Sequence, residues 1–104
     1  MTDLPSSYLK FRELYPEIAK AYDALGDAVH TAGPLDERTR QIVKLSLAIS
    51  AGLEGAAHSH TRRALQLNIT PEEIRQVVLL AMPTLGFPAT MRALSWVEDV
   101  LAEA

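Results

Sequence analysis

The sequence predicts an all-α protein of about six helices, and three observations carry that prediction. Apolar residues recur at spacings of three and four in successive segments, no segment alternates with a period of two for long, and the breaks fall on Gly, Pro and Asn. A chain of 104 residues has the size of one small domain. We therefore expect a single domain over residues 1–104.

Composition narrows the possible functions. The hydrophobic share of 48% and the formal net charge of −3 are typical of a soluble globular protein and argue against an electrostatic nucleic-acid binder. No apolar run is long enough to cross a bilayer, and Met1 to Lys10 does not resemble a signal peptide, so we expect a cytoplasmic protein without membrane contact. The absence of cysteine excludes disulfides, thiolate metal sites and thiol catalysis.

The first half of the chain predicts three helices. A short one runs from Tyr8 to Leu14, and Pro16 suits the first turn of a second that reaches about His30. Asp36 is a plausible N-cap for a third helix from about Glu37 to Ala51, which is apolar nearly all round and is expected to be buried on several sides. The apolar stripe of the second helix consists of Ile18, Ala21, Tyr22, Leu25 and Val29.

The second half of the chain predicts three more helices. A fourth helix runs from about Leu53 to Leu67, and Asn68 suits a left-handed C-terminal conformation. In "TPEE", Thr70 is the expected N-cap of a fifth helix and Glu73 the second half of a capping box. The apolar face of the fifth helix is Ile74, Val77, Val78, Ala81, Met82 and Leu85. A sixth helix from about Ala89 to Ala102 turns Met91, Leu94, Val97 and Leu101 inward.

Some apolar residues fall outside these stripes. They are Leu79, Leu80, Trp96 and Val100. Exposed apolar groups in quantity usually mark interfaces, so we expect the chain to associate with copies of itself.

The stretch "GLEGAAHSHTRRAL", residues 52–65, carries two histidines on the fourth helix. At about 100° per residue, His60 shares a face with Ala57 and Ala64, whereas His58 points roughly 160° away, one turn from a glutamate and an arginine. We expect His58 to be a solvated surface residue. Because side chains at i and i+2 of a helix diverge, we expect no metal site from this pair.

His60 has two interpretations that the spacing leaves open. It is either a core histidine satisfied by a hydrogen bond or a group that exchanges protons in a site. The neighbouring Ala57 and Ala64 are small and leave space beside an imidazole.

Four blocks in order carry a resemblance: "LDERTRQIVKLSLAISAG", "HTRRAL", "ITPEEIRQVVLLA" and "GFPATMRAL". Together they resemble the carboxymuconolactone decarboxylase family, which includes the alkylhydroperoxidase-D-like proteins, over about Leu35 to Ala93. The resemblance implies an all-helical fold and assembly as a homotrimer or homohexamer.

The sequence departs from the peroxidase branch of that family. The branch has a glutamate, a Cys-x-x-Cys pair and a histidine at positions that correspond here to Gln41, Leu53, Ala56 and His60. Only the histidine is kept. A thiol peroxidase needs one thiolate to attack the peroxide and a second thiol to resolve the sulfenic acid, so we expect no intrinsic thiol peroxidase activity.

The decarboxylase branch also lacks the cysteine pair and is similar to this chain in its histidine. This resemblance implies a lyase that uses no cofactor and no metal and acts on a small carboxylated lactone or ring acid. His60 would be the general acid or base, with Arg40 or Arg63 holding the carboxylate and Gln41 also contributing to substrate binding. Two alternatives stay open: a catalytically silent oligomeric binding protein, and a redox relative that takes its thiols from a partner or a small molecule.

Overall fold

The computed structural model describes residues 4–104, and all regular secondary structure in this range is helical, which confirms the predicted fold class. The chain divides into two compact units between Leu35 and Asp36. Within residues 4–104, no helix has both the length and the apolar character that crossing a bilayer requires. The seven helices of residues 4–104 are α1 (Ser6–Leu14), α2 (Pro16–His30), α3 (Glu37–Ser50), α4 (Glu54–Gln66), α5 (Pro71–Leu79), α6 (Met82–Leu85) and α7 (Phe87–Leu101).

The first unit contains α1 and α2. Pro16 is the first residue of α2, as predicted, and an ion pair between Arg12 and Asp23 joins the two helices. The same guanidinium donates a hydrogen bond of 2.9 Å to the Tyr8 hydroxyl. The apolar stripe of α2 is aligned along one face, but it lies in solvent in the single chain. Its four large members, Ile18, Tyr22, Leu25 and Val29, are between 56% and 62% exposed.

The second unit contains the hydrophobic core. Its buried cluster draws on α3, α4, α5, α7 and the loop between α4 and α5, and the fully or nearly buried members are Leu45, Ile49, Ala64, Ile69, Ile74, Val78, Ala93 and Val97. The expectation that α3 is buried on several sides is wrong. One face of α3 packs against α4 and α5, whereas Val43 and Leu47 remain exposed within the chain.

The boundary between α4 and α5 follows its predicted local chemistry. Asn68 has a φ of 62°, the left-handed conformation that ends a helix. The Thr70 hydroxyl accepts a hydrogen bond of 3.1 Å from the Glu73 amide, and the Glu73 carboxylate accepts one of 2.9 Å from the Thr70 amide. The capping box is therefore complete, and it fixes where α5 begins.

The predicted fifth helix is interrupted. α5 ends at Leu79, and the one-turn helix α6 follows it. The physical reason is Pro83, whose ring would clash with the carbonyl of Leu79 four residues earlier and which has no N–H to bond to it. The last helix begins at Phe87, two residues before the predicted start, after Gly86 at a φ of 91°.

The four apolar residues predicted to lie outside the helical stripes differ in their exposure to solvent. Leu79 and Leu80 are exposed, as expected. Trp96 is half-buried against the core, and Val100 is only 2% exposed, so its assignment to a surface is wrong. α7 packs against α4, α5 and α6, and three partner helices cover a wider face than the single stripe assumed from the sequence.

Candidate functional site

His60 lies on the inner face of α4. Its helical neighbours Ala57 and Ala64 are 0% and 1% exposed, and His60 itself is half-buried. The predicted orientation of this histidine is therefore found in the structure. The small residues one turn before and after it leave space beside the imidazole on this face of the helix.

Gln41 of α3 positions the imidazole of His60. The Gln41 side chain is 7% exposed, and its Nε2 lies 2.8 Å from Nδ1 of His60 and 3.1 Å from the His60 carbonyl oxygen. A carbonyl oxygen only accepts hydrogen bonds, so the second contact identifies the Gln41 atom as the amide nitrogen. An amide nitrogen only donates. Nδ1 of His60 must then accept, and in the neutral ring the proton resides on Nε2.

The two arginines expected to bind a carboxylate occupy different environments. Arg40 directly precedes Gln41 on α3 and is half-buried. Arg63 follows His60 by three residues on α4 and is exposed. Both lie on the helices that supply the histidine and its amide partner, and their role toward a substrate stays a prediction.

The positions that correspond to the cysteine pair lie at the first turn of α4. Leu53 is the N-cap residue and is 53% exposed, and Ala56 is half-buried. A helix N-terminus is the environment that lowers the pKa of a thiol, but neither side chain can carry a thiolate. The place of the redox centre in the peroxidase branch is thus apolar here.

His58 is not the solvated residue that the sequence indicated. Its side chain is 23% exposed, and its Nε2 lies 3.1 Å from Oδ2 of Asp99 on α7. Glu54, one turn earlier on α4, brings its carboxylate to the same place, so that one ligand atom from each of the three residues lies within 4.8 Å of the others. The spacing of Glu54 and His58 was readable from the sequence. The contribution of Asp99 depends on the packing of α7 against α4, which no local pattern reveals.

A separate cavity of about 200 Å³ lies beside α3, α5 and α6. Its lining residues include Ser46, Ser50 and Thr84 together with apolar residues such as Ile49 and Val77. His60 is not among its lining residues. The volume is below the usual range of small-molecule sites, which begins at about 300 Å³.

Comparison with known proteins agrees with this fold. The chain is 31% identical over 90 residues to an uncharacterised protein of Methanocaldococcus jannaschii, with 86% of each protein covered. A second uncharacterised protein of the same organism is 26% identical over 88 residues, covering 85% of this chain and 82% of the relative.

A solved structure and a family pattern add to these matches. The apo structure of a carboxymuconolactone decarboxylase family protein from Legionella pneumophila superposes with a TM-score of 0.81 at 26% identity, covering 93% of this chain and 87% of that one. The pattern of the same family matches residues 16–99. The match extends over most of the sequence and includes both Gln41 and His60, and the chain therefore belongs to the carboxymuconolactone decarboxylase family.

Proposed function

We propose that this protein is a cofactor-free lyase that removes carbon dioxide from a small carboxylated lactone or ring acid, with His60 as the proton donor. The observation that carries the proposal is the hydrogen bond from the Gln41 amide to Nδ1 of His60. It keeps the proton of the neutral ring on Nε2, so that this nitrogen carries the N–H that would donate to a substrate.

The chemistry requires such a donor. When the bond between the ring carbon and the carboxylate breaks, carbon dioxide leaves and the electron pair moves into the conjugated carbonyl system. A proton must then be delivered to carbon to restore a neutral product. His60 would supply it from Nε2, and the resulting imidazolate would regain a proton from water. General acid catalysis contributes about 10²–10⁴-fold to a rate.

The carboxylate of the substrate needs a cation to orient it before it leaves. Arg40 and Arg63 are the candidates, because one adjoins Gln41 on α3 and the other lies one turn from His60 on α4. A guanidinium binds a carboxylate in a planar two-point geometry, which would fix the direction of the breaking bond.

One observation favours a second candidate, a catalytically silent oligomeric binding protein. The same Gln41 nitrogen contacts both the His60 ring and the His60 carbonyl oxygen. A histidine held in this way has the polar partner that a purely structural histidine requires. Intrinsic thiol peroxidase activity is not proposed, because the sequence contains no cysteine.

Substitution of the two histidines separates these functions. The substrates to test are small carboxylated lactones, with carbon dioxide release as the measure of turnover and the rise in melting temperature as the measure of binding. His60→Gln should reduce turnover by about 10²-fold or more while the folded assembly persists. His58→Gln on the same helix is the matched control and should retain turnover.

Two other outcomes would point away from the lyase. Binding of ring carboxylates without turnover would favour the silent binding protein. If the wild type neither binds nor converts them and His60→Gln unfolds the chain, His60 is a structural residue and the proposed function is wrong.

A further inference from the structure

We propose that Glu54, His58 and Asp99 form a binding site for a divalent transition metal ion of the zinc type, on the outer side of the contact between α4 and α7. The three residues offer one imidazole nitrogen and two carboxylate oxygens within 4.8 Å of one another. This is a mixed nitrogen and oxygen donor set, which Zn²⁺ accepts and which Mg²⁺ and Ca²⁺, as ions that prefer oxygen ligands, do not favour.

The backbone already brings the donors together. Glu54 and His58 are four residues apart on α4 and therefore lie on one face of that helix. Asp99 comes from α7, and the contact between the two helices is fixed by buried neighbours, with Ala57 at 0% and Val100 at 2% exposed. Rotation of side chains is enough to close the site, because the backbone positions are set by the core.

The distances fit a zinc ion with small adjustments. Two ligand atoms, each about 2.1 Å from a tetrahedral ion, lie about 3.4 Å apart. Nε2 of His58 and Oδ2 of Asp99 are 3.1 Å apart, so this pair is already close to that spacing. The Glu54 carboxylate, on an exposed side chain, lies close enough to complete three ligands. Water would fill the remaining position, since Asp99 is 60% exposed.

Electrostatics supports a cation at this place. The carboxylates of Glu54 and Asp99 approach one imidazole, and a divalent ion between them would be attracted to both negative charges. The partial burial of His58 restricts its ring, which lowers the entropy lost when the ring is fixed as a ligand.

The site is separate from the proposed acid site. His58 and His60 diverge on α4, and His60 is engaged with Gln41 on the other side of the helix. The metal proposal therefore does not depend on the proposed lyase function, and either one can fail without the other.

Equilibrium dialysis of the folded, untagged chain against ZnCl₂ or MgCl₂, with metal analysis, tests this proposal. The wild type should bind one Zn²⁺ per chain with a dissociation constant in the micromolar range and should bind Mg²⁺ far more weakly. His58→Ala should weaken Zn²⁺ binding at least about tenfold, because loss of even a supporting group around a metal commonly has that effect. Asp99→Asn, which keeps the shape of the side chain, should also weaken it.

His30→Ala is the matched control, since it removes a histidine from α2 and leaves the three donors intact. It should leave zinc binding unchanged, and circular dichroism should show that all variants are folded. The proposal is overturned if the wild type binds no Zn²⁺ up to about 1 mM, a concentration that corresponds to only weak affinity. It is also overturned if His58→Ala and Asp99→Asn bind as the wild type does, or if Mg²⁺ binds as tightly as Zn²⁺.

Discussion

The side-chain amide of Gln41 donates a hydrogen bond to Nδ1 of His60 across 2.8 Å, and this contact selects the tautomer of the histidine. In the peroxidase branch that this sequence resembles, a glutamate stands at the position of Gln41. A carboxylate accepts where an amide nitrogen donates, so a glutamate at position 41 of this chain would reverse the direction of the hydrogen bond and place the ring proton on Nδ1.

Nitrogen-15 NMR of labelled protein measures this tautomer directly. At a pH at which the ring is neutral, the wild type should show His60 protonated on Nε2. Gln41→Glu should move the proton to Nδ1, since the new carboxylate accepts a hydrogen bond from the ring. His58 serves as the internal reference and should give the same spectrum in both proteins. An Nδ1-protonated His60 in the wild type would contradict the assigned hydrogen bond and with it the case for proton donation from Nε2.

The lowered pKa of the Glu73 carboxyl group predicts that the protein loses stability in acid. The Arg38 guanidinium contacts both Glu73 oxygens at 2.6 Å, and the Thr70 amide also donates to this carboxylate, so that the pKa of Glu73 falls from 4.5 to about 2. A carboxyl group whose pKa is lowered by folding stabilises the protein at any pH above 4.5 and loses that contribution as the pH falls from 4.5 toward 2. The free energy of unfolding should therefore decline across this interval.

Urea denaturation at several pH values tests the role of the ion pair between Arg38 and Glu73. Arg38→Gln removes the main cause of the lowered pKa, so the decline between pH 4.5 and 2 should become shallower than in the wild type. Arg63→Gln removes an exposed arginine elsewhere and should leave the slope unchanged. An identical slope for wild type and Arg38→Gln would show that Arg38 does not hold this carboxyl group in its charged form.

The features predicted best from the sequence are those that depend on residues close together along the chain. The capping box at Thr70 and the left-handed Asn68 were both readable because the side chains and the backbone groups they satisfy are within three residues of each other. Pro83 was present in the sequence as well, but the apolar stripe continues past it to Leu85 and masked the break. The orientation of His60 followed from helical geometry alone.

Contacts between distant segments could not be predicted in the same way. The pairing of His58 with Asp99 joins residues 41 positions apart, and the burial of Val100 depends on α7 having more than one partner helix. Helical periodicity describes one helix at a time and does not say how many neighbours cover it. The exposed stripe of α2 is the converse case, a regular apolar face whose large side chains stay exposed within residues 4–104.

That stripe leads to the last prediction, which concerns self-association. Ile18, Tyr22, Leu25 and Val29 each leave more than half of their surface in water in the single chain. A contiguous apolar face of this kind is typical of an interface, and we expect copies of the chain to cover it in a homotrimer or homohexamer. Light scattering coupled to size exclusion should give three or six times the chain mass of 11.4 kDa.

Leu25→Gln places an amide in the middle of the stripe and should lower that mass, whereas Lys20→Gln introduces the same residue on the opposite face of α2 and should not. A wild type that elutes as a monomer at micromolar concentration would exclude the assembly, and an unchanged mass for Leu25→Gln would place the interface on another surface, such as the one that carries Leu79 and Leu80.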